Sequence, residues 1–297
     1  MKRVFLFLAT NIAILLVLSI VLHITGANRF FNNQHGGLDY STLMLYSVII
    51  GFTGSFISLW ISKWMAKMSY NIQVIQTPAD ADQEWLVGTI RHLAAKARVQ
   101  MPEVGIYESP EANAFATGPS RSNSLVAVSS GLLRAMEKNE IEGVLAHEMT
   151  HVSNGDMVTM TLLQGVLNTF VIFLSRIAAS LIDQMLRKND DDSGPGFGFF
   201  IASMIFQLIL GFLASLIVMA FSRHREFRAD AGAAQLTGKA SMIGALRRLQ
   251  QIMESDPIID DRSTALSAFK INGKPHETNI MASHPSLEAR IEALEKL

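Results

Sequence analysis

The run NEIEGVLAHEMTHVSNGD, residues 139–156, decides how the rest of the chain is read. At its centre stands His147-Glu148-Met149-Thr150-His151. Four residues turn an α-helix by ~400°, so both imidazoles leave the same face about one turn apart. From there two ring nitrogens can reach one zinc ion at ~2.0–2.1 Å. Glu148, one residue round from His147, can act on water beside such a metal as general base. It can later serve as proton donor to a leaving amine, without being a ligand. The flanks predict the helix itself. Asn139 with Glu142 three residues on matches the reciprocal capping pattern. Val144, Leu145, Met149 and Val152 supply the apolar positions, and Asn154-Gly155 ends the helix.

Two histidines leave a catalytic zinc one protein ligand short. The chain has no Cys, so any transition-metal site must use His and carboxylates. The extended His-x-x-Gly-x-x-His form is absent, because Asn154 and Met157 occupy the places for Gly and His. Ser222-Arg223-His224-Arg225-Glu226-Phe227-Arg228-Ala229-Asp230 offers the missing carboxylate. Glu226 and Asp230 are four apart and share a helix face. Glu226 can therefore bind zinc while Asp230 accepts the free N–H of a ligand His and fixes its tautomer. His224 is the rival ligand, and a Glu among three Arg can also be a solvated ion pair. Asp156, just past the helix, reads as a structural cap rather than a group supporting the metal.

Between these two motifs the composition changes. Charged residues are 17% of the 297, against about 25% in a soluble domain. The shortfall is concentrated in Val4–Leu22, Tyr40–Ser62, Met157–Ser175 and Phe197–Phe221, which contain no Asp, Glu, Lys or Arg. Each is near the roughly 20 residues that cross a bilayer as a helix. Disorder is excluded by 49% hydrophobic residues, and a net charge of −1 argues against nucleic-acid binding.

The first run reads as an uncleaved anchor, with a cleaved signal as the alternative; Thr25–Ala27 is a poor cleavage site. The second ends in Trp60, Lys63, Trp64 and Lys67, a cluster suited to a membrane interface. The third is the weakest, since it holds Thr159, Thr161, Gln164 and Asn168; a buried helix of the soluble part is its alternative reading. Asp190–Pro195 supplies a polar turn that favours a hairpin with the fourth.

Lys2, Arg3, Lys63, Lys67, Arg223, Arg225 and Arg228 then place both termini and both polar segments on the cytoplasmic side. Two crossings between His151 and Glu226 return the chain to its starting side, as a shared site requires. Residues 1–67 are expected to form a transmembrane hairpin, 68–156 a first catalytic part, 157–221 a second hairpin and 222–297 a second catalytic part. Within the polar parts, Gln83–Val99 has the spacing of an amphipathic helix, and Pro285–Leu297 predicts a last one. Val104–Tyr107, Ala114–Thr117 and Leu125–Ser129 predict strands of a small sheet, followed by a short helix from Ser130 to Met136.

HEMTH at 147–151, SRHREFRAD at 222–230, and paired apolar runs before and between them resemble the HtpX-type heat-shock membrane zinc metalloproteases. That family shares a gluzincin clan with the CAAX prenyl endopeptidases, and the resemblance covers essentially the whole chain. It implies a mainly α membrane protein with four transmembrane helices and a cytoplasmic α+β gluzincin-like domain containing a small sheet. It implies one Zn2+ per chain and an endopeptidase of the bacterial inner membrane acting on misfolded or surplus membrane proteins. Stress-linked quality control beside an ATP-dependent membrane protease, and self-cleavage on leaving the membrane, are implied too.

Asn113-Ala114-Phe115-Ala116-Thr117-Gly118 is similar to the family's NAFATG segment, an edge strand thought to pair with extended substrate. Ser283-His284-Pro285 with Arg290-Ile291 is similar to its HP…RI element. That likeness implies that Arg290, with His284, approaches the active site and stabilises the oxyanion. The alternatives are a plain sheet edge, a helix-start His and a surface Arg. A processing protease of CAAX type, or a zinc-binding membrane adaptor without catalysis, are the rival functions.

Overall fold

The computed structural model describes residues 20, 23–24, 39–186, 196–255 and 284–297. All of the first apolar run but Ile20, the Asp190–Pro195 turn and Ser283 lie outside the described residues, so three of the four expected spans can be described. Among the described residues, three helices are long and apolar enough to cross a membrane: α1 (Tyr40–Tyr70), α5 (Asp156–Leu186) and α6 (Phe197–Thr237). Between and after them come β1 (Gln73–Val74), α2 (Ala81–Lys96), β2 (Glu103–Tyr107), β3 (Ala114–Ser120), β4 (Asn123–Ser129), α3 (Ser130–Ala135), α4 (Lys138–Asn154), α7 (Lys239–Ser255) and α8 (Leu287–Glu295).

The chain divides into two compact units, with breaks at Ser58/Leu59, Thr159/Met160 and Val218/Met219. The catalytic unit therefore begins inside α1, earlier than the expected boundary at residue 68.

In the membrane unit, α1 and α5 touch through small residues. A Cβ on Gly51 would lie 2.5 Å from Thr169 Oγ1, and one on Gly165 would lie 2.6 Å from the Phe52 ring. Close backbone approach of this kind is the usual basis of helix pairing in lipid. The third run's polar residues are absorbed locally: Thr169 Oγ1 donates to Gly165 O, and Gln164 Nε2 donates to Asn168 Oδ1. Internal satisfaction of this kind removes the objection to α5 as a membrane helix. The run belongs to the membrane unit rather than to the soluble core.

In the catalytic unit, the four-stranded sheet has the order β1-β2-β4-β3, with β2 and β4 parallel and both outer pairings antiparallel. Strand β3 is thus an edge, as the NAFATG likeness implied. Gly118, at φ 146, sits where the β3–β4 register shifts between Thr117 and Ser120. Leu86, Ile90 and Leu93 of α2, Leu145 and Met149 of α4, and Leu246 and Leu249 of α7 form the buried core with Leu294 of α8. Helix α7 and the short strand β1 carry no expectation from the sequence.

The start of α4 differs from the capping pattern expected at Asn139. The helix begins at Lys138, and Glu137 N–H donates to Glu140 Oε2 at 2.9 Å. The same reciprocal chemistry applies two residues earlier, where the acidic pair has the three-residue spacing. At the interface cluster, Trp60 and Trp64 are exposed while Lys63 and Lys67 turn to the other side and pair with Glu103 of β2. Burial favours the neutral form of Glu103, but the two ammonium groups outweigh it and lower its pKa.

Candidate metal and catalytic site

Helix α4 ends at Gly155, whose left-handed conformation (φ 69) lets its N–H reach back to His151 O and Val152 O. No side chain fits there easily, because a Cβ would meet Arg121 Nε at 2.9 Å. The chain turns sharply at this point and α5 opens on Asp156, which swings back onto the face carrying the histidines. On the other side, α6 meets α4 at Gly232, where a Cβ would lie 2.4 Å from Thr150 Cγ2. That close crossing brings Glu226 and Asp230, one turn apart on α6, against His147.

The resulting geometry is specific. His147 Nδ1 lies 2.9 Å from Asp230 Oδ1, and His151 Nδ1 lies 2.6 Å from Asp156 Oδ2. An ionised carboxylate only accepts, so each Nδ1 carries the proton and each Nε2 is left as a lone-pair acceptor. Those two Nε2 atoms face each other at 3.1 Å. The Glu226 carboxylate closes the triangle, 3.3 Å from His147 Nε2 and 3.4 Å from His151 Nε2. Three acceptors thus converge with ligand atoms within 4.8 Å of one another and no proton among them. Such a cluster suits a cation at its centre, and His-His-carboxylate is a divalent transition-metal donor set.

The carboxylates around His147 also favour positive charge at this point. Burial disfavours a charged His147, yet bonds to Asp230 and Glu226 more than offset it and raise its pKa to about 9. Glu226 is driven the other way: burial opposes its ionisation, but His147, His151 and His284 hold its pKa well below the usual range. Glu148 differs from both. It is buried, and burial pushes its pKa up against the opposing pull of His147, His151 and a hydrogen bond from the Ala116 backbone.

Among the remaining expected residues, His284 Nδ1 lies 3.1 Å from Glu226 Oε2. His224 is exposed and stands apart from the cluster. Arg290 is fully buried and forks onto Asp230, Nε to Oδ2 at 2.8 Å and Nη2 to Oδ1 at 2.6 Å. That fork ties the guanidinium to the Asp230–His147 pair. Its helix face explains why: Leu287, Arg290 and Leu294 share one side of α8 and all go inward.

Asp156 is fully buried, holding His151 with one oxygen and Arg228 Nη2 with the other at 2.7 Å. It supports the histidine as well as opening a helix, and its five-residue offset from His151 across a glycine was the available signal. Arg228 had no sequence signal beyond being one of three arginines. Asn113 is buried with its side-chain Nδ2 donating to Tyr107 Oη at 3.0 Å. Ala114 and Phe115 are buried as well; of the four residues only Ala116 is partly open, and the strand's backbone is what remains for pairing.

A helix-borne His-Glu-x-x-His pair, a carboxylate from a second helix and adjoining apolar helices define a class, the membrane-embedded metalloprotease, a hydrolase of peptide bonds with a metal cofactor. Comparison with known proteins agrees. The model of Peptidase family M48 matches residues 80–297. A "Protease HtpX homolog" of Methylacidiphilum infernorum is 57% identical over 298 residues, covering 100% of this chain and 99% of that protein. A "Protease HtpX" of Shewanella loihica is 54% identical over 297 residues, with 99% of both chains covered. The crystal structure of S. mikatae Ste24p shares the fold at a TM-score of 0.60 and 20% identity, over 97% of this chain and 66% of that one. The chain belongs to peptidase family M48.

Proposed function

We propose that the protein is a zinc endopeptidase of the bacterial inner membrane that degrades misfolded or surplus membrane proteins in quality control. Both termini and the site face the cytoplasm in this reading, as the basic residues flanking the apolar runs support. The observation that carries it is the convergence of His147 Nε2, His151 Nε2 and the Glu226 carboxylate beside a buried Glu148.

His147, His151 and Glu226 would hold the zinc, with Asp230 and Asp156 fixing the two imidazole tautomers. When bound, the metal supplies a Lewis acid for the scissile carbonyl. Glu148 takes the proton of the attacking water and holds it for the leaving amine; its raised pKa suits both halves of that task. Strand β3 offers its open edge to an extended polypeptide, which suits substrates with little sequence in common. His284, whose Nδ1 lies beside Glu226, would meet a substrate oxygen in this reading.

The test is Glu148→Ala, purified in detergent with zinc. It keeps one metal per chain and loses casein cleavage by roughly 10²–10⁴-fold. Undiminished cleavage sinks the mechanism, and metal binding without cleavage by the wild type favours an adaptor. The chain has no Cys, so a single cysteine introduced at Asp191 reports the topology directly. Labelling from the periplasm is expected, and labelling from the cytoplasm alone removes the second hairpin.

A further inference from the structure

We propose that the last turns of α1, residues 59–70, position the catalytic edge strand, with Tyr70 as the positioning residue; this rests on the reading of Glu148 as general base. Among the described residues strand β3 has one strand neighbour, β4, and its register slips after Thr117. A strand paired on one side only is held in place by what packs on its faces. On one face that is Phe115, whose ring centroid lies 5.1 Å from Tyr70 and 5.8 Å from Tyr107. Tyr70 and Tyr107 are themselves 4.9 Å apart, and Ala66 of α1 and Ala127 of β4 complete the cluster.

The next residue along β3 is Ala116, and its backbone N–H is a donor to Glu148. A shift of Phe115 therefore displaces the donor that holds the proposed base. Tyr107 ties a second point of the same segment through Asn113 Nδ2.

The helix end is anchored firmly enough to act as a fixed wall. Lys63 donates to Asn123 Oδ1 at 2.7 Å and pairs with Glu103 at 2.8 Å, and Lys67 pairs with Glu103 from the next turn. Past the helix, Ile72 sits so close over β2 that a Cβ on Gly105 would lie 2.3 Å from its Cγ2. Strand β1 then adds to the sheet beside β2. Tyr70 is thus held between an anchored helix and the strand that reaches Glu148.

The experiment uses the full-length protein in detergent with zinc, comparing Tyr70→Ala, Tyr70→Phe and Leu249→Ala, a core substitution in α7 remote from β3. Tyr70→Ala is expected to keep its metal, to speed amide exchange over residues 114–120, and to lower kcat about tenfold or more with little change in KM. Tyr70→Phe keeps the ring and stays near wild type in all three. Leu249→Ala lowers the melting temperature without touching kcat or the exchange of β3.

Wild-type kcat in metal-loaded Tyr70→Ala overturns the proposal. So does a loss that follows only the folded or metal-bound fraction. Should the alanine variant not fold, Tyr70→Leu supplies the same readings. If the wild type shows no metal-dependent hydrolysis, the reading of function fails. The exchange of residues 114–120 then still decides whether Tyr70 sets β3.

Discussion

His147 and His151 leave the same face of α4 and are supported by the same device, yet the two supports differ in depth. On the His147 side, Asp230 and Arg290 are both sealed, with side chains 2% and 0% exposed. On the His151 side, Asp156 is sealed but Arg228, which holds its other oxygen, is 50% exposed. One carboxylate is neutralised by a cation that water never reaches, the other by a cation half in solvent. The difference shows that a common chemical role, fixing an imidazole, can rest on very different energetics. The sealed triad is expected to belong to the folding core and the open one to the metal site alone.

The largest effect tests the sealed side. Arg290→Met leaves Asp230 buried without its partner, a loss of about 3–5 kcal/mol for a broken buried pair. The apo protein is expected to unfold at much lower temperature by circular dichroism. Its acid sensitivity should change too. Burial opposes ionisation of Asp230, but Arg290 and His147 hold its pKa at about 2, against 3.8 for an ordinary Asp. A depressed pKa contributes stability that is present above the ordinary value and disappears as pH falls from there through about 2. Without Arg290 the depression shrinks, so this acid-labile contribution is smaller. A variant that folds and binds metal normally but loses kcat would assign Arg290 the oxyanion role and erase the contrast.

Next in size are the carboxylates themselves. Asp230→Asn and Asp156→Asn each remove the charge that fixes an imidazole, and losses of metal affinity between about 10- and 100-fold are usual for such changes. The contrast sharpens in their stability. Asp230→Asn strands Arg290 and should lower the melting temperature of the apo protein, whereas Asp156→Asn leaves Arg228 free to turn to water. Competition with a chromogenic chelator gives the affinities. Equal melting temperatures for the two variants would remove the distinction between core and site.

How much of this the sequence carried depends on how far each relation reaches. The His147–Glu148–His151 face was legible because helical periodicity is local. Glu226 and Asp230 followed because their spacing is again one turn and the apolar runs dictate that the chain returns. Arg290 was legible only as a motif, and its partner is 60 residues away through a tertiary crossing no period announces. Asp156 failed for another reason: its position past the helix looks like a cap, and only the left-handed turn at Gly155 aims it backward. The third apolar run was the weakest span to read because it holds polar residues, but what matters in lipid is whether each finds a partner within its own helix, as Thr169 and Gln164 do. The capping pair slipped by two residues because the run supplies several acids at the three-residue spacing.

Arg228→Gln, the smallest effect, examines the open side most directly. Arg228 Nη2 is 2.7 Å from Asp156 Oδ1, but with half of the side chain in solvent the pair is screened. Pairs this exposed contribute below about 1 kcal/mol. Asp156 keeps its bond to His151 Nδ1 in the variant, so the tautomer is still fixed and metal affinity should fall by no more than about fivefold. Salt provides the control. Raising ionic strength screens the same interaction, so the gap between wild type and Arg228→Gln should close as salt increases. A gap that persists at high salt, or a loss as large as that of Asp156→Asn, would mean that Arg228 is sealed in solution. The His151 support would then be a buried triad like its counterpart, and the contrast between the two histidines would disappear.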